Sequence, residues 1–194
     1  MNARETIAQE MNGHQRMVEA MRDDPEIMET IARAARTIAE TFKAGGAVLA
    51  FGNGGSAADA QHIAGELVGR FALDRKGLRA AALTADSSVV TSIGNDYGFE
   101  AIFSRQIEAL GKPGDIALAL STSGNSPDII RAAQCARATG LTVIGLSGRG
   151  GGKMSGVCDI LIVVPSDETP RIQEGHALIY HILCGLVEKE MFGG

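Results

Sequence analysis

His62 and Glu66 lie four residues apart in the stretch 48–70, VLAFGNGGSAADAQHIAGELVGR. On a helix that spacing sets an imidazole and a carboxylate on one face, the outline of an acid–base site. Just upstream, Gly52-Asn53-Gly54-Gly55 can take positive φ and let a ligand approach the backbone closely. Ser56 then falls at an expected helix N-cap, and a helix start after a glycine-rich turn offers free amides and a positive dipole end to an anion. Two simpler readings stand beside this one. Gly52-x-Gly54-x-x-Ala57 fits the loose dinucleotide fingerprint, and a His and a Glu at this spacing also make an ordinary solvated pair.

A second group supports the first. Ser121-Thr122-Ser123-Gly124-Asn125-Ser126-Pro127 follows the apolar run 116–120. It lacks the Lys-Ser/Thr of a nucleoside-triphosphate loop. Four hydroxyls and a helix start suit one phosphate monoester on a polar substrate.

These groups need a scaffold, and the remaining pattern supplies one. Short apolar runs at 48–51, 79–83, 116–120, 141–146 and 159–164 alternate with helical segments. Such alternation predicts a parallel sheet covered on both faces, a three-layer α/β/α fold. In a 2-1-3-4-5 strand order the two glycine- and hydroxyl-rich loops flank the topological switch point, where ligands bind. Helices are expected over 57–70, 87–93, 99–110, 127–139 and 170–191, with a polar loop at 94–98 able to reach into a site. Ahead of the core, 1–22 and 25–44 read as two amphipathic helices broken at Asp23-Asp24-Pro25, with Asp24 as a cap. The expectation is one domain over 1–194. Residues 46–194 form its α/β core, and the helical pair 1–44 has apolar surface to spare for a subunit interface.

Composition narrows the class. With 194 residues, 45% hydrophobic and only 4% aromatic, the core must be aliphatic. A net charge of −5 and no basic cluster argue against nucleic-acid binding. No apolar run reaches the roughly 20 residues of a membrane span, and the polar N-terminus has no signal-peptide core. Three widely spaced cysteines read as thiols in a reducing compartment, so the expectation is a cytoplasmic protein with no membrane partner.

GNGGS, GNDYGFEAIFSRQIEAL, STSGNS, GGKM and RIQEGHALIYH together closely resemble the phosphoheptose isomerases of the sugar isomerase (SIS) superfamily. The resemblance covers nearly the whole chain. It implies an aldose–ketose isomerase that converts sedoheptulose 7-phosphate to D-glycero-D-manno-heptose 7-phosphate through an enediol, feeding heptose synthesis for lipopolysaccharide or capsule. It further implies a five-stranded parallel sheet, a homotetramer and sites at subunit interfaces.

By that resemblance Glu66 is the base at the carbons and His181 the acid at the oxygens. His62, Glu66, Gln173 and His181 match the ligands of one Zn2+ per subunit. Gln173 and His181 are eight apart on the last helix, so they can share a broad face. Ser56, Ser121, Ser123 and Ser126 match phosphate contacts. Asn53, Gly54, Gly55, Asn95, Asp96, Thr122, Glu66 and Gln173 match contacts to the phosphorylated seven-carbon sugar. Arg70 also matches a family position, whereas His176 is expected to be structural. Two other readings remain beside the isomerase. One is a non-catalytic phosphosugar-binding SIS protein that regulates by binding a replication initiator, for which Glu66 and His181 are not required. The other is a nicotinamide-dependent oxidoreductase, weakened by the second phosphate loop and by too little chain for a catalytic domain.

Overall fold

The computed structural model describes residues 2–193. Five strands form one parallel sheet in the order β2-β1-β3-β4-β5. They are β1 (Val48–Gly52), β2 (Ala80–Ala82), β3 (Ile116–Ser121), β4 (Thr142–Ser147) and β5 (Ile160–Val163). The helices are α1 (Ala3–Arg22), α2 (Pro25–Lys43), α3 (Gly55–Val68), α4 (Ser87–Tyr97), α5 (Ser104–Leu110), α6 (Pro127–Ala138) and α7 (Thr169–Phe192). This is the expected three-layer arrangement and strand order.

Alternation along the strands divides the core in two. Val48, Ala50, Ile116, Leu118, Leu120, Ile144 and Leu146 face α2, α3 and α7. Leu49, Phe51, Ala117, Ala119 and Val143 face α5 and α6. β1 and β3 are buried along their whole length, which explains their unbroken apolar sequence. The pairing of Gly52 with Leu120 ends these strands side by side, so both glycine-rich loops leave the same edge of the sheet.

Asp24 caps α2 as expected, its carboxylate accepting the Glu26 and Ile27 amides. Ile31, Ala34, Ala35, Ile38 and Phe42 of α2 are buried in the main core. α1 contributes only Met17 and Met21, and leaves Ile7 and Met11 more than half exposed. The Arg171 guanidinium ties α1 to α7, donating to the Glu10 backbone carbonyl and to the carboxylates of Glu10 and Glu174.

Three local expectations are corrected. The cap of α3 is Gly54, not Ser56, which lies buried inside the first turn. Gly54 takes φ +55°, a conformation open to glycine, and the helix starts two residues sooner. Residues 94–97 are not a loop but the last turns of α4; one glycine is a tolerable cost in a helix, and the stop comes at Gly98, φ +84°. The segment 99–110 is not one helix. A 3-10 turn (Phe99–Ala101) precedes α5, and the chain bends at Ile102 and Phe103, both buried, with the Phe103 ring 5.4 Å from Phe51.

Candidate active site

The first loop is shaped by close backbone approach. A Cβ on Gly52 would stand 2.7 Å from the Ser56 carbonyl oxygen, so the β1–α3 corner requires glycine there. No side chain caps the start of α3, where Gly54 is the N-cap residue. Ser56, in its first turn, is buried.

The second loop is held by its own backbone and by the turn after β4. Gly124, at φ +65°, packs against the Gly151 carbonyl, leaving no room for a side chain. The Met154 amide donates to the Gly124 carbonyl at 3.0 Å. The amide of Asn125 is fully engaged: Nδ2 donates to the Ser123 carbonyl and Oδ1 accepts the Lys153 amide. Ser126 is the N-cap of α6 but makes no side-chain cap; its hydroxyl pairs with that of Ser121 at 3.1 Å. Ser147 braces the loop from behind, its hydroxyl donating to the Ser121 carbonyl at 2.9 Å. Across the gap, Asn53 Nδ2 donates to Asp128 Oδ2 at 2.8 Å, joining the two loops.

The imidazoles and the carboxylate gather between α3 and α7. His62 Nε2 is 3.0 Å from Glu66 Oε1, and His62 Nδ1 is 3.1 Å from the Tyr180 hydroxyl. A carboxylate only accepts, so in the neutral ring Nε2–H donates to Glu66 and the Tyr180 hydroxyl donates to Nδ1. The His181 ring lies 5.0 Å from that of His62 and 4.6 Å from that of Tyr180. One ligand atom from each of His62, Glu66 and His181 falls within 4.8 Å of the others. Two imidazoles and a carboxylate at this spacing are a fitting donor set for zinc with an open position.

Gln173 is placed differently. Its amide lies against Gly55 at the start of α3, seven residues before His62. Seven residues of helix rise about 10 Å, so Gln173 borders the first loop rather than the imidazole cluster. Asn95 and Asp96, both exposed, bond to each other at 2.7 Å on the last turn of α4. Among the described residues no hydrogen bond ties them to either loop.

Three residues near the site were not singled out from sequence. Tyr180 buttresses His62. Asp59, half-buried one turn before His62, has its carboxyl pushed up by burial, with the His62 ring opposing. Burial, aided by the Asp59, Cys184 and Glu66 charges, also raises the Tyr180 phenol, which stays neutral and able to donate. Asp128 anchors Asn53. Asp59 and Asp128 lie in no motif, and Tyr180 lies inside RIQEGHALIYH with no role marked for it there. Tyr180 and Asp128 meet their partners only across packed elements, and burial alone sets Asp59 apart.

The frame of the cluster is a buried ion pair. Glu188 on α7 accepts the amides of Phe71, Ala72 and Leu73 and the Nε–H of Arg75. Burial opposes its charge, yet the three amides and Arg75 outweigh this and hold its carboxyl down to about 2. Arg75 in turn donates to the Glu66 and Leu67 carbonyls, capping the end of α3.

A cleft of about 520 Å3 between the start of α2 and β5 contains none of these residues. The candidate site is instead an open shelf along the sheet edge and the α3–α7 face.

A parallel sheet with hydroxyl-rich anion loops at its switch point defines a phosphosugar-binding SIS domain, and the SIS domain family model matches residues 12–148. The chain is 52% identical to the phosphoheptose isomerase of Trichlorobacter lovleyi over 96% of its length and 94% of that protein's. It is 54% identical to that of Burkholderia pseudomallei, covering 92% of the chain and 91% of the relative. The solved phosphoheptose isomerase of Neisseria gonorrhoeae superposes with a TM-score of 0.92 at 40% identity, over 97% of this chain and all of that one. The chain therefore belongs to the SIS superfamily and, within it, to the phosphoheptose isomerase family.

Proposed function

We propose that the chain converts sedoheptulose 7-phosphate to D-glycero-D-manno-heptose 7-phosphate. The observation that carries this is the convergence of His62, Glu66 and His181 on a shelf shared with two anion-type loops, in a chain about half identical to phosphoheptose isomerases over nearly its full length. The loops take the phosphate on the hydroxyls of Ser56, Ser121, Ser123 and Ser126 and the free amides of the α3 and α6 starts. Asn53, Gly54, Gly55, Thr122 and Gln173 line the path of the sugar toward the cluster, and Asn95 and Asp96 close it from α4.

The chemistry is a proton shift from C1 to C2. Glu66 takes a proton from C1, and the C–H pair becomes the C1–C2 double bond. His181 gives a proton to the C2 oxygen, forming the enediol. His181 then recovers the proton of the C1 hydroxyl, the C1 carbonyl forms, and Glu66 returns its proton to C2. His62, Glu66 and His181 would hold Zn2+, and Gln173 would be a further ligand by resemblance to the family. A zinc ion supplies Lewis-acid polarisation of the sugar oxygens. Incubation with sedoheptulose 7-phosphate, followed by NMR, tests the activity; no aldose signal from folded, zinc-replete protein would sink it.

Ile7 and Met11 on α1, together with Ile182 and Leu186 on α7, leave apolar side chains exposed. Such surface suits contact with further copies of the chain; by resemblance to the family the assembly would be a homotetramer whose neighbours complete each site, working in the cytoplasm for lipopolysaccharide or capsule heptose. Deleting residues 1–22 is expected to lower the oligomeric state in light scattering. An unchanged assembly would contradict the interface.

A further inference from the structure

The geometry points to Asp128 as a positioning residue that fixes which end of the Asn53 amide meets the substrate. The inference rests on the phosphosugar reading of the two loops. Asp128 lies in the first turn of α6, 2% exposed, and its Oδ2 stands 2.8 Å from Asn53 Nδ2. The two ends of an asparagine amide differ only by a half-turn of the side chain, so an asparagine alone can offer a sugar either a donor or an acceptor. A buried carboxylate removes that freedom, because it accepts and never donates. The NH2 of Asn53 must face Asp128, and Oδ1 must point away from it.

Asn125, on the second loop, shows the contrast. Both ends of its amide are consumed by backbone groups, so it is part of the loop's structure. Among the described residues, Asn53 has only its NH2 end engaged. It is half-buried at the gap between the loops, with a carbonyl oxygen that still needs a donor. Asn53 therefore reads a hydroxyl on the sugar by accepting a hydrogen bond from it. A carbonyl or ether oxygen at the same place would meet lone pair against lone pair. A buried polar mismatch of this kind is expected to discriminate by about 5- to 150-fold.

An exchange of the two side chains tests this. Asn53→Asp sets two carboxylates together and is expected to lower kcat/KM by about 10-fold or more. Adding Asp128→Asn restores a donor to the pair. The amide introduced at position 128 can give its NH2 to the carboxylate introduced at position 53, which keeps an acceptor oxygen toward the sugar. The double variant is expected to return to within about 3-fold of wild type, a coupling no additive pair would show. Failure of the exchange in a folded double variant, or a harmless Asn53→Asp, overturns the assignment.

Neutron diffraction of the deuterated wild-type protein gives a readout independent of variant folding. Both amide deuterons of Asn53 are expected on the Asp128 side, and deuterons on the sugar side overturn the inference. Wild-type protein that does not turn over sedoheptulose 7-phosphate would sink the activity reading alone, and the neutron map would still decide the orientation.

Discussion

The two ends of the site are built on opposite principles. The loop end is made largely from backbone: Gly52 and Gly124 allow close approaches, Gly54 takes a positive φ, and Ser147, Lys153 and Met154 hold the second loop in one shape. The cluster end is made from side chains of α3 and α7, with His62 held between Glu66 and Tyr180. A rigid backbone seat suits a part of the substrate that does not change during reaction. Accessible side chains that can exchange protons suit the part that does. This division predicts that damage at the cluster end appears mainly in kcat and damage at the loop end mainly in KM.

The largest effect is expected from Glu66→Gln, which keeps the shape but cannot take a proton. Turnover should fall on the order of 10²-fold or more with little change in KM. Near-normal kcat in a correctly assembled variant would remove Glu66 from the chemistry.

Next comes Tyr180→Phe. With His62 on a metal through its other nitrogen, the Tyr180 hydroxyl beside Nδ1 would hold the ring in one tautomer and orientation. Loss of such an outer partner is expected to weaken zinc binding by about 10- to 100-fold, read by competition with a chelator. Unchanged zinc affinity would show that His62 needs no such support.

At the loop end, Ser126→Ala removes the hydroxyl paired with Ser121. KM should rise by about 10-fold, the lower end of what one hydrogen bond to a charged group contributes, with kcat nearly kept. A drop in kcat instead would blur the division between the ends.

The smallest effect concerns what lies behind the loops. His176 is fully buried, and burial pulls its ring down to about 4; the Ser147 backbone opposes this, although neither ring nitrogen reaches hydrogen-bond geometry. The unfolded chain takes that proton near 6.5, so it binds more protons than the folded chain at lower pH. Stability should therefore fall as pH drops from about 6.5 to about 4, by on the order of 1 kcal/mol per pH unit. Glu188, held to about 2, adds to the loss only below its ordinary 4.5. Denaturant midpoints at pH values of about 7, 5.5 and 4.5 measure this, and His176→Leu should flatten the upper part of the slope. An equal slope in that variant would assign the pH dependence elsewhere.

Much of this molecule was legible in the sequence because its causes are local. Continuous apolar runs made β1 and β3 recognisable, since strands buried on both faces leave no polar positions. Asp24-Pro25 announced the start of α2, and the two glycine- and serine-rich loops followed the strands they were expected to follow. Ser56 and the 94–98 segment misled for the same local reason. Serine is a good cap and Gly-Asn-Asp a good turn, yet the close contact of Gly52 with Ser56 and the continued turns of α4 overrode both preferences.

What the chain alone could not decide is how α3 meets α7. Their parallel packing sets Gln173 beside Gly55 and His181 beside His62, and it brings Tyr180 onto His62 from 118 residues away. The same holds for Asn53 and Asp128, 75 residues apart. Residue types and spacing determine which groups can do chemistry. Which of their atoms face one another depends on how helices and loops pack on a common sheet, and no local sequence pattern encodes that packing.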